Sequence, residues 1–178
     1  MTQNFADTYY FPKGVNAQMI LSAMVNRSLM VFRSEWKQRA KDMNLSVHQV
    51  LTLASVIEKE TGLASERPII SSVFHNRLKI GMRLDSDPTV IYGIENFNGN
   101  ITRKNLETPT PYNTYKIYGL PPGPIASPGA SAIEAALYPS DTDFLYFVAK
   151  GDGSHQFSKS LEEHRQAVKK YQLRKNAH

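Results

Sequence analysis

The sequence predicts an α+β fold: a helix-rich domain with a small antiparallel hairpin and a long, ordered Pro/Gly-rich loop region lining a cleft. Three observations predict it. Apolar residues recur at helical spacing through the first half, punctuated by capping signals. Residues 81–130 then carry six glycines and seven prolines, and their Tyr, Asn and Leu content marks an ordered surface rather than a linker. Last, two aromatic runs flank a glycine turn, as in a hairpin. Strands and helices do not alternate, which excludes a doubly wound sheet.

Taken in order, residues 9–15 read as the end of a strand or an approach loop. Met19, Ile20, Ala23 and Met24, then Phe32, Trp36, Ala40 and Met43, make one long or broken helix from Asn16 to about residue 43. Ser46 and Gln49 form a capping-box pattern, with Leu45 and Val50 placed as a hydrophobic staple. The helix they open runs through Leu51, Leu53, Ala54, Val56 and Ile57 to Gly62, expected as a left-handed terminator. Pro68 suits the first turn of a third helix, with Ile69, Ile70, Val73, Phe74 and Leu78 inward and Gly81 closing it. Short extended pieces are expected within the loop region, such as Thr89, Val90, Ile91 and Tyr92. Residues 131–137 read as a short helix stopped by Pro139. Residues 144–148 and 155–158 pair around Gly151 and Gly153. A second capping box, Ser160 with Glu163, opens the last helix, which should pack Leu161, Val168 and Tyr171.

The 178 residues suit a single domain with a continuous core, and an apolar fraction of 41% excludes a wholly disordered chain. With no cysteine, disulfides, thiolate zinc sites and cysteine nucleophiles are excluded together. The five histidines (48, 75, 155, 164 and 178) are scattered, so a metal site is not expected. No glycine-rich phosphate loop and no Gly-x-Ser-x-Gly elbow occurs. A net charge of +5 without a dense basic stripe argues against nucleic acid and fits another acidic polymer equally well. The densest basic patch is the tail, from Lys169 to Lys175. No apolar run approaches a membrane span, and the start lacks a signal-peptide layout.

Chemistry concentrates in residues 54–62. At about 100° per residue, the apolar stripe centres between Ala54 and Ile57, and Glu58 and Glu60 fall on its two flanks, roughly 70° and 90° away. Periodicity barely separates them. Either both are boundary charges, one paired with an arginine, or one is a carboxyl in a partly apolar cleft, kept protonated and able to donate to a leaving oxygen. Arg83, Asp85, Asp87, Tyr92, Tyr112 and Tyr115 combine aromatic and hydrogen-bonding side chains, as sugar-binding surfaces do. Residues 119–129 form a wall stiffened by proline.

The motifs EKET (58–61), SVFHNRL (72–78), GMRL (81–84), DPTVIYG (87–93), YNTY (112–115) and GLPPGPI (119–125) appear in one order. LYFV (145–148) and GSHQF (153–157) follow. Together they resemble the catalytic domain of the YceG-like endolytic murein transglycosylases (MltG family), over about residues 9–172. The resemblance implies non-hydrolytic cleavage of peptidoglycan glycan strands to 1,6-anhydroMurNAc ends, with one carboxyl acting as acid and then base and no cofactor or metal. It implies Glu58 as that catalytic residue and Glu60 as a supporting group. It implies a cleft drawn from Asn76, Arg83, Asp87, Thr89, Tyr92, Tyr112, Asn113, Thr114, Tyr115 and Ser127, with His155 and Phe157 at its edge. Asp85 stands where an uncharged polar residue is expected, and residues 157–160 vary from the usual pattern.

Family members carry an N-terminal membrane anchor and a small LysM-like domain. The chain is therefore expected to be a single catalytic domain over residues 1–178, a fragment without them. The resemblance implies an extracytoplasmic, periplasmic position at the inner membrane for the full-length protein, replacing the cytoplasmic position that composition alone suggests. It also implies cell-wall synthases as protein partners. A non-catalytic peptidoglycan-binding or scaffold module is the alternative function.

Overall fold

The computed structural model describes residues 8–173; the first seven residues, and Arg174, Lys175 and His178 of the basic tail, lie outside them. The helices α1 (Ala17–Val31), α2 (Ser34–Asp42) and α3 (Val47–Glu60) come first. A 3-10 turn (Ala64–Glu66) runs directly into α4 (Arg67–Lys79). The loop region holds two short helices, α5 (Asp87–Tyr92) and α6 (Arg103–Glu107). Then follow α7 (Ala130–Leu137), β1 (Tyr146–Ala149), β2 (His155–Ser158) and α8 (Leu161–Val168), which widens into one π turn (Lys169–Leu173). The expected α+β class holds.

The first helical stretch is broken rather than continuous. Arg33 is extended, with ψ 163°, and the chain restarts as α2 so that Phe32 and Trp36 meet edge to face at 5.9 Å, both buried. Asn44 then adopts the left-handed conformation (φ 56°) that asparagine tolerates, which separates α2 from α3. The capping box of α3 forms as read: Gln49 N–H donates to Ser46 Oγ (3.2 Å) and Ser46 N–H to Gln49 Oε1 (2.8 Å). The far end differs from expectation. Gly62 is not left-handed; α3 stops at an extended Thr61 (φ −144°, ψ 138°), whose hydroxyl accepts the Leu63 N–H. Gly81 (φ 67°) does end α4 as expected.

The core centres on α3. Val50, Leu53, Ala54, Val56 and Ile57 lose all solvent contact, each worth about 1.5–3 kcal/mol for the large side chains. Their main partner is α7, which supplies Ala132, Ile133, Ala136 and Leu137, while Ile70 and Phe74 close the cluster from α4.

Residues 89–92 form a helix, not a strand. Pro88 presets the first turn, and the Thr89 hydroxyl folds back onto the Ser86 carbonyl at 2.6 Å, so local β preference loses to helix-start chemistry. The hairpin is antiparallel, with Phe147 opposite Phe157 and Ala149 opposite His155. Its first strand begins at Tyr146, two residues later than read. In α8 the capping box forms, but Ala167 is the buried residue; Leu161 is exposed, and Val168 and Tyr171 are half-buried. Among the described residues no helix is long and apolar enough to cross a membrane.

Candidate active site

The last turn of α3 presents its two glutamates to different neighbours. Two residues along a helix are about 200° of rotation, so one carboxyl leaves each flank of the buried stripe. Glu58 turns toward α4 and α7. Its Oε1 accepts from Arg67 Nη2 at 3.0 Å, its Oε2 accepts the Gly129 N–H at 3.1 Å, and Arg67 also donates to Ser131 Oγ. Gly129 caps the start of α7, so Glu58 is a paired anion joining three elements.

Glu60 enters a cleft of about 470 Å³. It accepts a hydrogen bond from Ser86 Oγ and makes no salt bridge among the described residues. Burial pushes its pKa from 4.5 up to about 7. The Ser86 hydrogen bond opposes that rise, the Asp87 charge adds to it, and Arg77 lowers it again. A carboxyl half-protonated near neutral pH can give up a proton and take one back.

The end of α3, α4, the start of α5 with its neighbouring loops, the hairpin and α8 enclose the cleft. Arg77 of α4 reaches in from below with its side chain 8% exposed. Its Nε donates to the Leu145 carbonyl (2.7 Å) and its Nη1 to that of Leu84 (2.6 Å). Asp85 lies 3.9 Å from Arg77 Nη1, held in the left-handed conformation (φ 47°) that aspartate adopts more readily than most residues. Burial raises the pKa of Asp85, and Arg77 and Arg83 pull it back. On the loop side, Tyr115 donates its hydroxyl to Asp87 Oδ1 at 2.7 Å. Burial and that bond hold the phenol far above its usual pKa, so Tyr115 stays a donor.

The hairpin and α8 form the opposite wall. Tyr146 lies under the Arg77 guanidinium (5.4 Å) and stacks on His164 (5.2 Å). Burial, and then the Arg77 charge, lower the His164 pKa. His155 is pinned by Glu66, which accepts from its ring Nδ1 (2.6 Å) and its backbone N–H (3.0 Å).

Of the residues singled out from the sequence, Glu60, Asp85, Asp87, Tyr115 and His155 line this cleft together. Others hold its walls. Asn76 donates to the carbonyls of Thr142 (2.7 Å) and Phe144 (3.0 Å), fixing the approach to β1. Asn113 is buried and donates to the carbonyls of Asn105, Leu106 and Thr108. Thr89 and Thr114 are fully buried, with hydroxyls 2.8 Å apart. Phe157 packs between Phe144 and Phe147. The remainder sit farther out: Arg83 lies over exposed Tyr118, Tyr92 pairs with Tyr112 at 4.7 Å, and Ser127 is exposed.

Sequence reading missed Arg77, Ser86, Tyr146 and His164. For Arg77 a signal existed: it continues the inward face of Ile70, Val73 and Phe74, so a charge falls on an apolar stripe. Ser86 carried none. Among the described residues no group of three or more His, Asp or Glu is arranged to hold a metal ion.

Comparison with known proteins adds a family. The model of the YceG-like family matches residues 3–170. The chain is 44% identical over 173 residues to the endolytic murein transglycosylase of Bacillus subtilis, covering 97% of this chain and 48% of the relative. It is 32% identical over 169 residues to the protein of that name from Streptococcus pneumoniae strain R6, covering 90% of this chain and 30% of the relative. A crystal structure of a putative YceG-like protein from Listeria monocytogenes superposes with a TM-score of 0.84 at 43% identity, over 93% of this chain and 53% of that one. The chain thus spans about half or less of the length of these relatives.

Proposed function

This chain belongs to the YceG-like family, and we propose that it carries the catalytic groups of an endolytic murein transglycosylase, with Glu60 as acid and then base. The substrate is the peptidoglycan glycan strand, cut internally between MurNAc and GlcNAc. The supporting observation is the environment of Glu60: a cleft carboxyl with no cationic partner within salt-bridge distance among the described residues and a pKa raised to about 7. This reverses the roles that the resemblance implied for the two glutamates, because Glu58 is committed to Arg67 and Gly129.

In this reading protonated Glu60 gives its proton to the glycosidic oxygen as the bond from MurNAc C1 breaks, and the GlcNAc chain leaves with that proton. The Glu60 carboxylate then takes the proton of the MurNAc 6-hydroxyl, whose oxygen closes on C1. The product is a 1,6-anhydroMurNAc end, the enzyme regains its starting protonation, and no water is consumed. A second carboxylate nucleophile is unnecessary because the substrate supplies the attacking oxygen. Residues 1–178 act in this reading as one catalytic domain of a protein facing the wall from the extracytoplasmic side of the membrane, beside cell-wall synthases.

The test is incubation with uncrosslinked glycan strands and mass spectrometry of the products. Ends lacking one water are expected. Hydrated reducing ends would point to a muramidase, and binding without turnover to a scaffold module; either result sinks the reading.

A further inference from the structure

We propose that Asp87 is the electrostatic partner of Glu60: an ionised carboxylate, fixed by the Tyr115 hydroxyl, that stabilises the positive charge developing on the anomeric carbon as the glycosidic bond breaks. The proposal rests on the assignment of Glu60 above and goes beyond it, since acid–base work by Glu60 needs no second carboxylate.

Adjacent residues of one turn hold the two carboxyl groups: Ser86 donates to Glu60, and Asp87 follows it at the start of α5. That turn is braced from behind. Thr114 Oγ1 accepts the Ser86 N–H (3.0 Å) and meets Thr89 Oγ1 (2.8 Å), and Thr89 Oγ1 donates to the Ser86 carbonyl (2.6 Å). Asp87 therefore stands on a fixed support, as a charge must if it is to stabilise a transition state without reorganising. Tyr115 occupies only Oδ1, and Oδ2 has no hydrogen-bond partner among the described residues. No lysine or arginine there forms a salt bridge with Asp87, whereas the other cleft aspartate, Asp85, sits against Arg77.

Every group around Glu60 has a place in this arrangement. Arg77 comes from α4, Ser86 and Asp87 from the start of α5, and Asp85 and Tyr115 from the loops. Tyr146, His155 and His164 face the same cleft from the hairpin and α8. Of these, Asp87 is the anion that acts directly on Glu60, favouring its protonated form. Two carboxyls with different environments thus divide the work: one neutral and able to donate, one charged and fixed. As C1–O cleavage moves electrons to the leaving oxygen, the charge left on C1 and the ring oxygen is met by Asp87 without a covalent bond, until the 6-hydroxyl oxygen closes on C1.

The experiment compares Asp87→Asn and Tyr115→Phe with wild type across pH. Asp87→Asn should lower kcat roughly 100-fold with KM little changed. Its alkaline limb should move to lower pH, because removing the negative neighbour lets Glu60 ionise earlier. Tyr115→Phe should lower kcat roughly tenfold, having freed the carboxylate without removing its charge. A raised KM in Asp87→Asn, with kcat and the alkaline limb unmoved, overturns the proposal and leaves Asp87 a sugar contact. The Glu60 carboxyl is also followed by NMR titration in both variants, with thermal unfolding as a check on folding. If the wild type turns over no glycan, the assignment of Glu60 fails. The titration still decides the electrostatic coupling on which this proposal depends, and an unmoved Glu60 midpoint in Asp87→Asn overturns it.

Discussion

The two flanks of the last turn of α3 carry the same chemical group to opposite ends. On one, Glu58 meets a guanidinium and a backbone N–H, and its charge is fully used in joining α3 to α4 and α7. On the other, Glu60 meets a hydroxyl, an aspartate and a distant arginine inside a cleft, and burial makes its charge costly. The residues are identical in type and two positions apart. What separates a paired anion from a carboxyl that burial keeps partly protonated is the set of partners that tertiary packing delivers to each flank.

Exchanging each carboxylate for its amide tests this contrast most strongly. Glu60→Gln should reduce formation of anhydro ends on the order of 10³-fold, read by mass spectrometry, while Glu58→Gln keeps most of the activity. The reverse outcome would break the comparison outright.

Stability gives the next largest effect, and its sign depends on pH. Because folding raises the Glu60 pKa from 4.5 to about 7, the native state binds more protons between those values, and stability falls as pH rises through that window. Glu60→Gln removes this penalty. It should be more stable than wild type at pH 8 by on the order of 2–3 kcal/mol and nearly equal at pH 4.5, by thermal or urea unfolding. On the opposite flank, Glu58→Gln should be destabilising at neutral pH by about 1–2 kcal/mol, since it leaves Arg67 and the Gly129 N–H with a poorer acceptor. A stabilised Glu58→Gln would mean that the ion pair costs more than it contributes.

The smallest effect sharpens the Glu60 side alone. Ser86→Ala removes the hydrogen bond that favours the ionised form, so the alkaline limb of the kcat/KM profile should move to higher pH. An unmoved limb would show that the hydroxyl does not control the acid.

Where local signals agreed with tertiary packing, the fold was legible in the sequence. The boxes at Ser46 and Ser160 formed because each joins residues three apart, and the hairpin formed because its aromatics pair across a glycine turn. The Gly62 and 89–92 readings failed for one reason. A residue preference was read without its neighbours, and Thr61 in one case and Pro88 with Ser86 in the other decided the backbone. The site was half legible. Helical angle put Glu58 and Glu60 on separate flanks, but no spacing rule states that Arg67 waits on one side and Ser86 on the other. Asp87, Tyr115 and His155 line the same cavity as Glu60, while Asn76, Thr89, Asn113 and Thr114 act one layer behind it.

The Thr89–Thr114 contact has a consequence for how such a chain tolerates change. It pins together two points 25 residues apart, so the excursion between them leaves and returns to the same rivet. The entropy of closing a loop grows only with the logarithm of its length. Residues can therefore be added or removed near Gly99, at the far side of that excursion, at a cost of tenths of a kcal/mol. Both ends of the loop stay in register with Ser86, and the wall beside Glu60 keeps its shape while the outer rim is free to diversify.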